Sequence, residues 1–214
     1  MIVHVLNREA SVASIFIAEL RDVQVQKDAM RFRRNLERLG EIMAYKVSTA
    51  LEYAPKEVQT PLAIAYEQVL AEQPILCTVL RAGLPFHQGF LNYFDQALSA
   101  FVAAYRIESS QELAVHVDYL VAPDLQDKVL ILVDPMLATG TSLALTYQAL
   151  LRFGKPRHTH LAAAIASPEG VRHIQKSLTD VTLWLGALDD KLNEHAYIVP
   201  GLGDAGDLAF GAKL

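Results

Sequence analysis

The sequence predicts an α/β protein: a central, mostly parallel sheet flanked by helices, with a helical layer ahead of it in the chain. Three observations predict this. Short apolar runs recur at 75–80, 100–105, 129–133, 160–166 and 181–187, each the length of a buried strand. Segments with helical spacing, at roughly 84–98, 142–153 and 168–178, lie between several of those runs, and strands alternating with helices pair in parallel. Three strand ends then carry polar residues, Arg81, Arg106 and Asp134, where sheets of this kind gather their ligands.

Taken in order, Met1 to Glu9 mixes His, Asn, Arg and Glu with apolar residues, and no stretch of the chain approaches the ~18 consecutive apolar residues of a membrane span. Residues 10–54 read as helical. Leu36, Leu39, Ile42, Met43, Val47, Ala50 and Leu51 recur at three and four, while Arg31, Arg33, Arg34, Glu37 and Arg38 take the other face. With Glu37 and Glu41 nearby, that basic cluster is expected to be a solvated face or a subunit contact. Cys77 stands alone in the run Ile75 to Leu80, so it reads as a core thiol, and a reducing, cytoplasmic setting is expected. The stretch 107–127 begins polar and then alternates through Leu113, Val115, Val117 and Tyr119, which suits a hairpin or lid over the sheet's edge.

At 214 residues, 52% hydrophobic and 20% charged, the chain is sized for one core, here read as a single domain over 1–214 with a helical part (1–54), a core (74–188) and a tail (189–214). A net charge of -5 disfavours a large nucleic-acid or membrane footprint, whereas a small anionic substrate needs only a few placed cations. The stretch Gly201 to Gly206 matches the dinucleotide fingerprint in letters alone, because the chain stops before the helix and acid that fingerprint needs. Thr141 after Gly140 rules out a P-loop lysine. His158 and His160 share one side of a strand without a third ligand nearby, and are read as surface histidines.

The most informative segment is Asp134-Pro-Met-Leu-Ala-Thr-Gly-Thr-Ser142, between the run Val129 to Val133 and a helical segment. It sets a carboxylate at a strand tip, then small residues and hydroxyls at a helix start, where backbone N–H groups can wrap an anion. Pro135 disfavours the α region for Asp134 and keeps it extended.

Together with Arg81-Ala-Gly83, Tyr105-Arg106 and the tail Asn193 to Asp207, this segment resembles the uracil phosphoribosyltransferases of the type I phosphoribosyltransferase fold, from about residue 19 to the C-terminus. The resemblance implies that fold, with a β-arm and a small C-terminal hood. It implies transfer of the phosphoribosyl group of 5-phospho-α-D-ribose 1-diphosphate (PRPP) to uracil, giving UMP and diphosphate in pyrimidine salvage. By the same resemblance Arg81 and Arg106 face the diphosphate, Asp134 meets the ribose hydroxyls, and Pro135, Met136, Leu137, Ala138, Thr139, Gly140, Thr141 and Ser142 hold PRPP. Ile198, Gly203, Asp204 and Ala205 line the uracil pocket, largely through main-chain groups. Asp204 is assigned to PRPP and to catalysis, either through magnesium-bound water or as a relay for the N1 proton, and no residue is assigned as a direct ligand of Mg2+. The chain departs from the family pattern at Ile107 to Glu112, where a later lid lysine is also missing, and at Pro85, Phe86 and His87, which implies a different wall near the ribose. Uracil and PRPP are the expected partners, with self-association as a homodimer or larger. The alternatives are an RNA-binding attenuation regulator of the same fold and a transferase for another base.

Overall fold

The computed structural model describes residues 1–108 and 113–212, with backbone alone for 104–108 and 113–118. The elements run β1 (Ile2–Val5), α1 (Val12–Arg21), α2 (Ala29–Ser48), β2 (Tyr53–Gln59), β3 (Ile64–Leu70), β4 (Ile75–Leu80), α3 (Gly83–Leu91), β5 (Ser99–Glu108) and β6 (Leu113–Val121). They continue with β7 (Val129–Val133), β8 (Met136–Leu137), α4 (Thr141–Leu150), β9 (His158–Ala166), α5 (Pro168–Ser177), β10 (Val181–Leu188), β11 (Lys191–Leu192), β12 (Ile198–Val199) and α6 (Ala205–Phe210).

Among the described residues an eight-stranded sheet runs β1-β10-β9-β7-β4-β5-β6, with β8 paired to β9 beyond the tip of β7. Every pairing in it is parallel except β5 with β6. The mostly parallel sheet flanked by helices is thus present. Its central strands are apolar throughout because both faces are covered, and alternation along them sorts side chains between two cores. Leu76, Ile131 and Val133 join Ile17, Leu36, Phe86 and Trp184 on the face covered by α1, α2 and α3. Cys77, Leu130 and Leu132 join Leu143, Tyr147 and Ile174 on the face covered by α4 and α5. Cys77 is fully buried, and burial pushes its thiol well above the usual range.

Local chemistry sets the helix starts. Asp28 caps α2 by accepting from the N–H groups of Met30 (3.0 Å) and Arg31 (3.1 Å), and Ser167 caps α5 ahead of Pro168. Helices α2 and α3 meet through two glycines: a Cβ on Gly40 would lie 2.3 Å from the Phe86 carbonyl oxygen, and one on Gly89 2.1 Å from that of Glu37.

Several expectations change. The N-terminal helical layer ends at Ser48, and 53–70 form an antiparallel hairpin standing off the main sheet. Most of its positions are exposed, so no buried face marked it in the sequence. Strand β1 was not foreseen either: it is a four-residue edge strand, and its pairing to β10 is supplied by a distant part of the chain. His160 is no surface residue. It is 3% exposed, Trp184 Nε1 donates to its Nδ1 at 3.0 Å, and burial first, then the neighbouring histidines, lower its pKa to about 3. Phe86 and His87 are buried in the interior. Of the expected β-arm, the hairpin β5–β6 is present in backbone; residues 109–112, and with them the lid reading, lie outside the described residues.

Candidate active site

The phosphate-loop candidate begins where β7 stops. The Asp134 N–H still donates to the Ala162 carbonyl at 3.0 Å, and the Met136 N–H donates to Asp134 Oδ1 at 3.2 Å, so the carboxylate folds over its own turn. Met136 and Leu137 then re-enter the sheet beside Ile165 and Ala166. Leu137 is 1% exposed and gives its side chain to the core, so anything it offers a ligand passes through its main chain. Gly140 turns the chain into α4 with φ of 79°, a left-handed conformation that favours glycine. The N-cap residue Gly140 has no side chain to cap α4, and of the hydroxyls before the helix Thr139 Oγ1 accepts the Thr141 N–H in a long bond of 3.4 Å. The loop is braced from behind. Ser167 Oγ donates to the Ala138 carbonyl at 2.6 Å, and Gly170 lies so close that a Cβ there would sit 2.4 Å from the same oxygen.

Arg81 follows β4 across a cis peptide, and α3 starts two residues later. A Cβ on Gly83 would lie 2.1 Å from Thr78 Oγ1 and 3.7 Å from the Val133 carbonyl, which puts the turn after Arg81 next to the root of the phosphate loop. The guanidinium points to the tail: Nη2 donates to Asp207 Oδ1 at 2.8 Å and Nη1 to the Gly211 carbonyl at 3.0 Å. Strand β5 runs on to Glu108, so Arg106 sits within the hairpin backbone opposite Val115 and not at a strand end. Its side chain lies outside the described residues, as does the role expected of it.

The tail forms a hood. Strand β12 pairs with β11, placing Ile198 opposite Leu192, and the Val199–Pro200 peptide is cis. Gly201 and Gly203 follow with φ of 64° and 93°. Ile198 (7% exposed) and Ala205 (0%) give their side chains to the core, so anything they offer a ligand passes through the main chain. Asp204 Oδ1 accepts the Asp207 N–H at 3.0 Å and opens α6.

Three anchors that the sequence reading missed hold this hood. Arg21 forks onto Asp189, at 2.8 Å and 2.5 Å, and also donates to the Gly201 carbonyl at 3.0 Å, while Asp189 Oδ2 accepts the Gly201 N–H at 2.9 Å. Arg33 donates to the Ala209 carbonyl at 2.7 Å, and Asp207 holds Arg81. The basic cluster is therefore only partly a solvated face: Arg34 pairs with Glu37 at 2.6 Å as expected, whereas Arg33 reaches the chain's last helix. One signal was legible, because Asp189 directly follows an apolar strand run and is a fourth polar strand end.

The pieces meet on one side of the sheet. A Cβ on Gly206 would lie 3.4 Å from Arg81 Nη2, so the hood turn packs on the Arg81 turn. Leu137 pairs with Ala166, whose carbonyl accepts the Asp189 N–H at 2.8 Å, and Asp189 in turn holds Gly201. The loop after β7 and the Gly201 turn are therefore linked through one short hydrogen-bonded path, its last step the Asp189 carboxylate. Such an arrangement can hold an anion at α4, a second anion at Arg81 and a planar polar ring at the hood.

The architecture is the type I phosphoribosyltransferase fold. The fold is shared with a hypoxanthine phosphoribosyltransferase from Staphylococcus aureus, at a TM-score of 0.50 and 13% identity over 85% of this chain and 84% of that one. Within the class the assignment is narrower: the family model for uracil phosphoribosyltransferase matches residues 8–212, and the chain belongs to that family. A uracil phosphoribosyltransferase from Porphyromonas gingivalis is 51% identical over 98% of both chains, and one from Pyrococcus furiosus is 32% identical over 91% of this chain and 84% of its own. The solved AQ2163 protein from Aquifex aeolicus superposes with a TM-score of 0.88 at 30% identity, covering all of both chains.

Proposed function

We propose that this chain transfers the phosphoribosyl group of PRPP to N1 of uracil, releasing diphosphate and forming UMP. The observation that carries the proposal is the meeting of the α4 loop, Arg81 and the hood turn on one side of the sheet. In the reaction the C1′–oxygen bond breaks with its electron pair leaving on diphosphate, the N1 lone pair forms the new bond to C1′, and the N1 proton passes to solvent water, with Asp204 as the relay. Backbone amides and hydroxyls of Ala138, Thr139, Gly140, Thr141 and Ser142 hold the 5′-phosphate, with Pro135 and Met136 shaping the approach. Asp134 orients the ribose hydroxyls. Arg81, joined by Arg106, meets the growing negative charge on the departing oxygens, a preorganised contact that costs no rearrangement at the moment of transfer. Main-chain groups of Ile198, Gly203, Asp204 and Ala205 pair with the acceptor, donor, acceptor edge of uracil. A base with the wrong pattern leaves those groups unpaired, which can give discrimination of roughly 10⁴-fold.

Mg2+ belongs to the same proposal. Asp134 and Asp204 are the carboxylates that would meet an ion carried mainly by substrate oxygens and water, the hard-oxygen ligands such an ion takes. When bound it supplies neutralising charge to the diphosphate. We place the enzyme in the cytoplasm. Self-association completes the proposal, supported by the β2–β3 hairpin, which exposes Tyr53, Ile64, Tyr66 and Val69 together with Leu62 at its turn.

Product formation from PRPP and each of uracil, orotate, cytosine and hypoxanthine tests the reading. UMP from uracil, with the other bases slower by orders of magnitude, is expected. Equal turnover of a second base, or none of uracil, overturns it.

A further inference from the structure

We propose that Asp207 is a positioning residue that holds the Arg81 guanidinium toward the diphosphate and ties it to the uracil turn, so that the two substrates strengthen each other's binding; this rests on the reading that Arg81 faces diphosphate. Arg81 leaves the tip of β4 and its polar contacts among the described residues both go to the hood: Asp207 Oδ1 at 2.8 Å and the Gly211 carbonyl at 3.0 Å. A guanidinium carries five N–H donors, so these two leave three for a ligand while fixing the plane of the group. Arg81 also lies against residue 206, where a Cβ would stand in ordinary van der Waals contact, 3.4 Å from Nη2 and 3.8 Å from Nε.

Asp207 faces both ways. Its carboxylate accepts from Arg81 and its own N–H donates to Asp204 Oδ1 at 3.0 Å, so the Asp204 carboxylate, the first turn of α6 and the Arg81 fork form one hydrogen-bonded unit. Ordering of the hood around uracil therefore fixes Arg81, and a diphosphate fixing Arg81 orders the hood, a reciprocal coupling. The contact does little for the fold. Both side chains are 37% exposed, and exposed ion pairs contribute little stability. Helix α6 is held independently, by Arg33 on the Ala209 carbonyl and by the buried Ala205 and Ala209.

The test compares the wild type with Asp207→Asn, Asp207→Ala and Asp207→Glu, using calorimetry with inorganic diphosphate, calorimetry with PRPP in the presence and absence of uracil, and steady-state kinetics. UMP formation by the wild type checks the underlying function separately, and the diphosphate titration decides on Asp207 whether or not UMP forms. The expectation for Asn and Ala is diphosphate binding and KM for PRPP weakened by about 5-fold or more, with the enhancement of PRPP binding by uracil falling toward one. The Glu variant should recover part of both, and melting temperatures should stay close to wild type. Diphosphate binding as tight as wild type in the Asn and Ala variants overturns the proposal. Tighter binding also overturns it, since Asp207 would then compete for Arg81 rather than position it. A loss that appears only together with a lowered melting temperature assigns Asp207 a structural role and overturns it as well.

Discussion

Asp189→Ala probes the joint between sheet and hood. Asp189 accepts two bonds from Arg21, at 2.8 Å and 2.5 Å, and one from the Gly201 N–H at 2.9 Å. Its side chain is 4% exposed and that of Arg21 21%. Removing one partner of a buried pair costs about 3–5 kcal/mol because the other charge is stranded. Arg21 reaches some solvent and can partly rehydrate, which puts the cost near the lower end, about 3 kcal/mol. For a chain of this size that converts to a fall in Tm of roughly 6–12 °C. The same change frees Gly201, so KM for uracil should rise more than KM for PRPP. Chemical denaturation and calorimetry measure the first effect and initial rates the second. A loss below about 1 kcal/mol, with an unchanged KM for uracil, would refute the assignment of Asp189 as the anchor of the hood.

Three further perturbations follow from the same structure. Gly89→Ala gains up to about 1 kcal/mol of helix propensity, yet its Cβ would meet the Glu37 carbonyl at 2.1 Å; overpacking of about 1–3 kcal/mol should win, giving net destabilisation by denaturant titration. Burial lowers His87 to about 4 and His160 to about 3, so below the ordinary histidine pKa of about 6.5 the unfolded chain takes up protons that the folded chain refuses. Stability should therefore fall by about 1–2 kcal/mol per histidine between pH 7 and pH 5, a flat denaturation midpoint over that range being the contrary result. Arg81→Ala should raise the transition-state barrier by about 2.7–4 kcal/mol, read as kcat/KM for PRPP, and near-normal turnover would remove Arg81 from the chemistry.

Two central strands were legible to the residue: β4 and β7 coincide with their apolar runs, and the polar tips after them, Arg81 and Asp134, sit where the reading put them. The strand, loop and helix from Val129 to Leu150 were legible because their signal is local, an apolar run, small residues and helical spacing within a short stretch. The hood's anchors were not, since the Arg21–Asp189 pair spans 168 positions and no local pattern announces such a pair. The β2–β3 hairpin escaped because alternation marks a strand only when one face is buried, and here little of either face is. For His158 and His160 the shared side was read correctly but the exposure of His160 was not. β9 lies between β7 and β10 and is covered on both faces, so a polar residue in it must find a partner, and His160 finds Trp184.

The central claim is that the α4 loop and the hood turn serve one nucleotide. Backbone amide NMR of the protein titrated with UMP tests it most directly. The account predicts that amides of Ala138 to Ser142 and of Gly203 to Ala205 shift together along a single binding curve, while inorganic phosphate moves the first group alone. Shifts in one group only at saturating UMP, or two groups titrating with different affinities, would contradict it.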